Sequence, residues 1–402
     1  MKGPWGQEVW HRSPVRDEYF YGVFWEGMPD LNYANPAVRE EAKKVARFWL
    51  QEMGVDGFRL DAIPYLIEEG EQLAHTAGTH AVLREYARYL NEIAPRAYTI
   101  GEVWDSIGAM MPYYPDQLHA HFAFEVSDAI LDAVRTGSAK RLLQPVLRLQ
   151  RELPADRWSP FLRNHDQTRT LTALGGDIRN AKLAATILLT LPGLPYVYYG
   201  EEIGMTGDKP DPRLRTPMQW SGGAGVGFTR GKEWEAPQSD SANTNVAAED
   251  RDPASLLNLY RRLIHLREQN AALANGTLLP LVASTDSIAA YLRRAGDRIV
   301  MVVANLGATP LTGVKLTSEE NALPAGRYNA VDLLGSRSTR SLISGSSGLF
   351  REYSPVDTLG PKETLVLNLI ARRPNTVSSI SRAGRRYEDS LAQAVLSLVT
   401  PP

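Results

Sequence analysis

Apolar positions along this chain recur with two different periods. Between Pro36 and Gly54 they return at helical spacing (Val38, Ala42, Val45, Ala46, Trp49, Leu50), with Asn35 placed as a cap and Pro36 in the first turn, which predicts one amphipathic helix. A short strand-like run, Gly57 to Asp61, follows directly. The alternation then repeats: a helix around 80–93, a strand at 97–102, a strand near 121–125, helices at about 127–136 and 138–152, a strand at 159–164, a helix at 180–191 and a last strand at 196–199. Strands alternating with helices predict parallel βα units, and a repeat of about 30 residues matches an eight-stranded βα barrel. Residues 1–35 are rich in aromatics without a period and read as a loop or subdomain end. Residues 204–250 read as a long Gly-, Pro- and Trp-containing loop ahead of a helix at 253–269. After Gly276 the pattern changes to short runs at 288–294, 298–305, 327–333 and 364–370, as in a small antiparallel sandwich.

Composition narrows the chemistry. Forty-four Lys and Arg against 46 Asp and Glu leave a formal charge of −2 in 402 residues, which offers no electrostatic footprint for nucleic acid or an anionic membrane. A small neutral substrate fits better. With no cysteine, disulfides, thiolate metal sites and cysteine nucleophiles are excluded. No run approaches the roughly 18 apolar residues of a membrane span, and the N-terminus has no apolar leader. The chain reads as soluble and leaves its compartment open.

Three acids close strands of the barrel pattern: Asp61, Glu102 and Asp166. Barrel sites are built at the C-terminal ends of strands, so acids from three strands would converge there. Arg59 and Asp61 lie two apart and point the same way, so a buried arginine would hold its neighbour ionised, as a nucleophile needs. Glu102 ends an apolar strand beside Gly101, Val103 and Trp104, a setting that raises a carboxyl pKa and suits a general acid. One charged and one protonated carboxyl about 5 to 5.5 Å apart is the arrangement of retaining glycosidases.

Six ordered motifs carry a resemblance to the α-amylase family of retaining α-glucan enzymes. Gly57-Phe58-Arg59-Leu60-Asp61-Ala62 looks like its nucleophile strand, Gly101-Glu102-Val103-Trp104 like its acid/base strand, and Phe161-Leu162-Arg163-Asn164-His165-Asp166 like the strand of its transition-state-stabilising aspartate. Met28-Pro29-Asp30-Leu31-Asn32, Tyr198 to Gly204 and Arg215 to Trp220 are similar to three further motifs. The resemblance implies that Asp61 attacks the anomeric carbon, Glu102 serves as acid and then base, and Asp166 binds sugar hydroxyls more tightly as the ring flattens. It implies that Arg59 and His165 sit beside them, with Asn164 orienting the turn, Arg215 a candidate for the sugar pocket, and Tyr65 and Trp104 candidates for stacking on sugar. The substrate implied is an α-1,4-glucan, starch or maltooligosaccharide.

On this reading residues 1–35 end the family's inserted subdomain, 36–276 form a partial (β/α)8 TIM barrel, 277–373 a C-terminal β-sandwich, and 374–402 a Ser- and Arg-rich tail outside the fold. The chain also departs from the family. Three βα units should precede the nucleophile strand, needing roughly 90 residues, but only 56 residues precede Gly57, and no Asp-x-x-x-Asn-His motif occurs. The barrel is therefore expected to lack its N-terminal strands and to have open edges prone to self-association. Little or no activity is expected of this chain alone. The parent enzyme would then be compatible with secretion or a periplasmic location. No cofactor is expected, and the ligands of the family's structural calcium are missing; Asp208 and Asp211 make a thin shell for such an ion.

Gly223 to Gly227 lacks the spacing and flanking elements of a nucleotide loop, and His75/His80 and His119/His121 lack the spacing of a helical zinc site. Three alternatives stand beside hydrolysis. Asp61-Ala62-Ile63-Pro64-Tyr65 resembles trehalose synthase, an isomerase. An α-glucosidase or transglucosidase uses the same acids. A catalytically inactive, amylase-like fragment would bind glucan without turning it over.

Overall fold

The computed structural model describes residues 1–319 and 321–372; the 374–402 tail lies outside the described residues. Met1–Ile370 form one compact unit.

The predicted helix begins at Pro36, where the Asn35 side chain accepts the Ala37 N–H, and continues past Arg47 through a wider turn at Phe48–Glu52. It leads into a four-stranded parallel sheet: β3 (Gly57–Leu60), β4 (Tyr98–Gly101), β5 (Ala120–Phe122) and β6 (Trp158–Ser159), paired in that order. Helices Ala77–Ile93, Phe124–Thr136, Ala139–Glu152 and Ile178–Thr190 cover it. Their buried faces (Leu83, Ile130, Leu142, Val146, Leu188) form one core with Trp158 and Leu162. This is the architecture of a partial βα barrel.

Two expected strands are shorter than the pattern implied. Only Trp158 and Ser159 of the 159–164 region pair with β5, and 196–199 forms no ladder. That segment still runs beside β6, since Leu194 N–H reaches the Trp158 carbonyl and Tyr196 N–H the Pro160 carbonyl, each at 3.0 Å. Pro160 and Pro195 lack the N–H that would extend the pairing. Residues 1–35, read as irregular, contain a two-stranded ribbon, β1 (Trp10–Arg12) with β2 (Tyr19–Tyr21). Its side chains are aromatic on both faces, so alternation could not reveal it.

From Thr277 the chain forms a seven-stranded sheet in the order β11-β7-β8-β9-β15-β12-β13. Its strands are β7 (Thr277–Ala283), β8 (Ile288–Ala295), β9 (Arg298–Asn305), β11 (Leu316–Ser318), β12 (Gly326–Asp332), β13 (Leu342–Ser344) and β15 (Thr364–Ala371). β10 (Leu311–Thr312) pairs separately with β14 (Thr358–Leu359). One face of the large sheet (Ala289, Tyr291, Val300, Val302) belongs to the same core as the helices. The other (Ala290, Leu292, Met301, Val303, Leu367) is covered by Val314, Leu323, Phe350 and Leu359. The sheet is thus joined to the helical layer rather than closed on itself as a free-standing sandwich.

Two buried guanidinium groups make that junction polar as well. Arg293 Nε and Nη2 donate to the Gly276 carbonyl and Nη1 to the Thr190 carbonyl. Arg267 donates to the carbonyls of Leu189, Leu191 and Gly193. The Leu189, Thr190 and Leu191 carbonyls lie at the C-terminal end of the Ile178–Thr190 helix and the Gly276 carbonyl just past the Ala271–Asn275 helix, places where unpaired acceptors and the helix dipole favour cations.

Candidate active site

The site is assembled where β3 and β4 end. Glu102 N–H donates to the Leu60 carbonyl at 2.9 Å, carrying the ladder one residue beyond the strands. Gly101 lets Leu118 and Ile63 pack close, because a Cβ there would stand 2.4 Å from Leu118 Cδ1 and 2.7 Å from Ile63 Cδ1 and those side chains would have to move. Ala62, directly after Asp61, adopts φ +42°, a left-handed conformation that L-residues other than Gly rarely hold. This turn aims the Ala62 N–H at Glu102 Oε2, 3.1 Å away. A strained turn at a carboxylate is a recurrent mark of functional sites.

One guanidinium ties the two carboxyls together. Arg59 Nη1 pairs with Asp61 Oδ1, and Arg59 Nη2 lies 2.8 Å from Glu102 Oε2. Glu102 is only 6% exposed. Burial, then its hydrogen bond with Asp61, push its carboxyl up to about 7 despite the arginine. For Asp61, burial alone would raise the pKa, but the bond from Glu102 and the Arg59 charge hold it below the usual aspartate value. The two carboxyls are held beside one another by the one guanidinium. Expectation placed Arg59 and Asp61 inside a barrel; instead the Asp61 side chain is 66% exposed and that of Arg59 about one third exposed. The cause is position: β3 has a strand on one side only.

Asp166 sits on a turn closed by the Asn164 side chain, which accepts the Asp166 N–H at 3.0 Å. Asn164 thus orients the turn. Asp166 Oδ1 lies 2.6 Å from Arg215 Nη2, and Oδ2 3.3 Å from His165 Nε2. Arg215 Nε also donates to the His165 carbonyl. His165 shares with Arg59, Glu102 and Asn164 the wall of a cavity of about 340 Å³, completed by Phe122, Phe161, Arg163, Tyr196, Val197 and Tyr198. Phe122, Phe161 and Tyr196 meet edge to face and supply apolar surroundings that disfavour the charged form of Glu102.

Asp61, Asp166, Arg215, Tyr65 and Trp104 are not part of that wall; Asp61 lines a separate cavity on the side of the Pro36–Arg47 helix. Tyr65 packs against Trp5 and Phe24; Trp104 lies parallel on Phe124 with centroids 5.0 Å apart and its outer face exposed. Phe122 ends β5 and Phe161 lies beyond β6, so strand alternation did not single out either of these cavity aromatics. Asp208 is engaged by Thr168, and Asp211 by Lys209 and Arg215. These oxygens do not fit a calcium site, and among the described residues no cluster of three or more His, Asp or Glu is placed to hold a metal.

Glu201, behind this site, is also unanticipated. It is buried, accepts hydrogen bonds from Thr170 Oγ1 at 2.6 Å and Tyr260 OH at 2.8 Å, and burial raises its carboxyl to about 7. A carboxyl raised on folding binds its proton more tightly in the native state, so stability is full below pH about 4.5 and falls as pH rises through 7, by about 3 kcal/mol. Glu201→Gln should flatten the difference between urea midpoints at pH 5 and pH 8. An unchanged difference would assign it to other groups.

A family model for the α-amylase catalytic domain matches residues 1–276. The chain is 38% identical to α-amylase 3 of Dictyoglomus thermophilum over 305 residues, covering 74% of this chain and 58% of that protein. It is 32% identical to the trehalose synthase/amylase of Mycolicibacterium smegmatis over 334 residues, covering 71% of this chain and 56% of that protein. It thus spans little more than half the length of these curated relatives. The crystal structure of the α-amylase from H. orenii superposes with a TM-score of 0.73 at 32% identity, over 90% of this chain and 70% of that one. With the motifs, the fold and the matched relatives in agreement, the chain belongs to the α-amylase family.

Proposed function

We propose that the Asp61–Arg59–Glu102 group at the mouth of this cavity is a retaining site for α-glucosidic bonds of maltooligosaccharides or starch, working through a covalent glycosyl-enzyme intermediate. The observation that carries this reading is the Arg59 guanidinium shared by an ionised, accessible Asp61 and a buried Glu102 poised near neutrality. Asp61 has the charge and exposure of a nucleophile. Glu102 has a proton to give to the leaving oxygen and, once ionised, can take one from water. Two carboxyls bound to one guanidinium suit the close spacing of a retaining pair better than the wider one of an inverting pair. Asp166, gripped by Arg215, is proposed to bind hydroxyls of the same sugar ring. No metal or cofactor has a part in this scheme.

Because Asp61 stands on an edge strand, turnover by this chain alone is expected to be weak, so the test uses the activated substrate α-glucosyl fluoride. The expected first product is α-glucose; β-glucose, read by NMR before mutarotation, rejects the retaining mechanism.

The acid must be protonated to act, so kcat/KM on an unactivated maltooligosaccharide should fall as pH rises through about 7. On the acidic side the limb should lie below the ordinary aspartate range, because Asp61 stays ionised. A rate level to pH 9 would remove Glu102 from the acid role.

A trehalose synthase-like isomerase is the second reading, supported by the similarity to the mycobacterial enzyme and by Asp61-Ala62-Ile63-Pro64-Tyr65. Trehalose formed from maltose would favour it, glucose the hydrolase. We further propose that the free edge of β3 and the adjoining, largely apolar cavity of about 680 Å³, lined by Val38, Val45, Leu60, Ile63 and Tyr86 and also by Asp61, promote self-association. Elution on size exclusion should then shift with concentration. A fixed monomer position would refute this.

A further inference from the structure

Arg169 lies three residues beyond Asp166 and is 2% exposed, yet no carboxylate pairs with it at salt-bridge distance among the described residues. Its hydrogen bonds go to backbone carbonyls. Nε donates to Leu214 O at 2.9 Å and Nη1 to Tyr199 O at 2.8 Å, while its own N–H donates to Gly207 O at 3.0 Å. The guanidinium lies over the rings of Tyr198 and Tyr199, 4.7 and 4.8 Å from their centroids. Those tyrosines complete the brace: Tyr198 OH donates to Leu214 O at 3.1 Å, and Tyr199 OH to Thr216 O at 2.6 Å. The carbonyls on both sides of Arg215 are therefore held from one stacked Arg169–Tyr198–Tyr199 unit.

Arg215 is the residue whose guanidinium grips Asp166 and the His165 carbonyl. That ion pair is partly exposed, 38% on the arginine and 31% on the aspartate. Exposed pairs of this kind contribute about 0 to 1 kcal/mol and do not by themselves hold two flexible side chains in one geometry. The orientation has to come from the backbone beneath Arg215, and that backbone is fixed by the brace.

We propose that Arg169 is a positioning residue for the reaction: through the carbonyls flanking Arg215 it sets the placement of Asp166 and His165 over the sugar. This rests on the reading of Asp166 as a substrate-binding acid. Lysine cannot take its place, since one ammonium cannot stack on two rings while donating in a fork to two carbonyls.

The test is a double-mutant cycle on the full chain with Arg169→Met and Arg215→Met, with Arg169→Lys alongside. It is read on kcat and KM for α-glucosyl fluoride and, independently of turnover, on the Kd for maltotriose. A displacement of about 1 Å at a positioned group costs on the order of 10²-fold in rate. Arg169→Met should therefore lower kcat by about that factor with KM changed less than about threefold. Lysine should not rescue it, and the loss should vanish when Arg215 is already methionine. Losses that multiply in the double mutant, or an Arg169→Met rate and Kd within twofold of wild type, overturn the proposal. If Arg169→Met fails to fold, Tyr199→Phe, which removes only the hydroxyl holding Thr216, is read through the same cycle. An Asp61→Asn chain as active as wild type would instead sink the retaining mechanism, leaving the maltotriose cycle to judge Arg169.

Discussion

Asp61→Asn is expected to lower turnover of α-glucosyl fluoride by at least about 10⁴-fold, the scale on which removal of a covalent nucleophile is felt. The amide keeps the size of the side chain and one acceptor for Arg59, so the fold and the Glu102 environment should persist while the charge that attacks carbon is gone. Glu102→Gln should behave differently, and the contrast is the diagnostic. Fluoride leaves without a proton, so glycosylation should survive. Deglycosylation should stall because no base remains for water, and a substrate with a poor leaving group should lose about 10²- to 10⁴-fold. Azide needs no base. It should restore turnover in the Glu102 variant and release α-glucosyl azide, with configuration retained by two inversions. Failure of azide to rescue, or a β-azide from this variant, would reverse or remove the assignment of the two acids.

The second large effect concerns stability. Arg293→Met should destabilise Met1–Ile370 by about 2 to 4 kcal/mol, measured by urea unfolding at pH 7. The side chain is fully buried, and its loss leaves the Thr190 and Gly276 carbonyls without its three bonds. Each buried acceptor left unpaired costs about 1 to 3 kcal/mol. Relief from burying a charge works in the opposite direction and keeps the net below the sum: burial already lowers this guanidinium to about 9. A variant as stable as wild type would show that the carbonyls find other donors. Because the helical layer and the large sheet share one core, unfolding should remain a single transition in both proteins.

How much of this was legible depended on which neighbours each residue has. The period of two placed Arg59 and Asp61 on one face, and the apolar run ending at Gly101 foretold the burial and raised pKa of Glu102. Asp61 and Glu102 directly follow β3 and β4, as the pattern implied, whereas Asp166 lies on a turn well past the short β6. The open edge at β3 was legible from the 56 residues before Gly57, but the reading of Arg59 as buried did not carry that edge through to the exposure of Asp61. Prolines 160 and 195 lie at the ends of runs rich in aromatics, so composition read as strand while the missing N–H groups forbade the ladder. Trp104 and Tyr65 were chosen for chemical type alone, and the structure gives Tyr65 to a packing cluster. Arg169 and Glu201 carried no signal at all: their partners are 30 to 59 residues away in sequence, and a charged residue inside a motif does not announce that it faces backbone carbonyls or buried hydroxyls.

The carbonyls held by Arg267 and Arg293 bear on protein engineering. Gly276 looks like the natural seam for exchanging the C-terminal sheet with that of a relative, since regular helices end and strands begin there. A graft cut at that point would import β8 with a foreign residue at position 293 and deprive the host of the donor for Thr190 and for Gly276 itself. A transplantable cassette therefore has to carry both sides of the contact, from Ile178 onward, or restore an arginine at the position corresponding to 293. Recombination libraries crossed at Gly276 should be enriched, among folded members, for those that keep it.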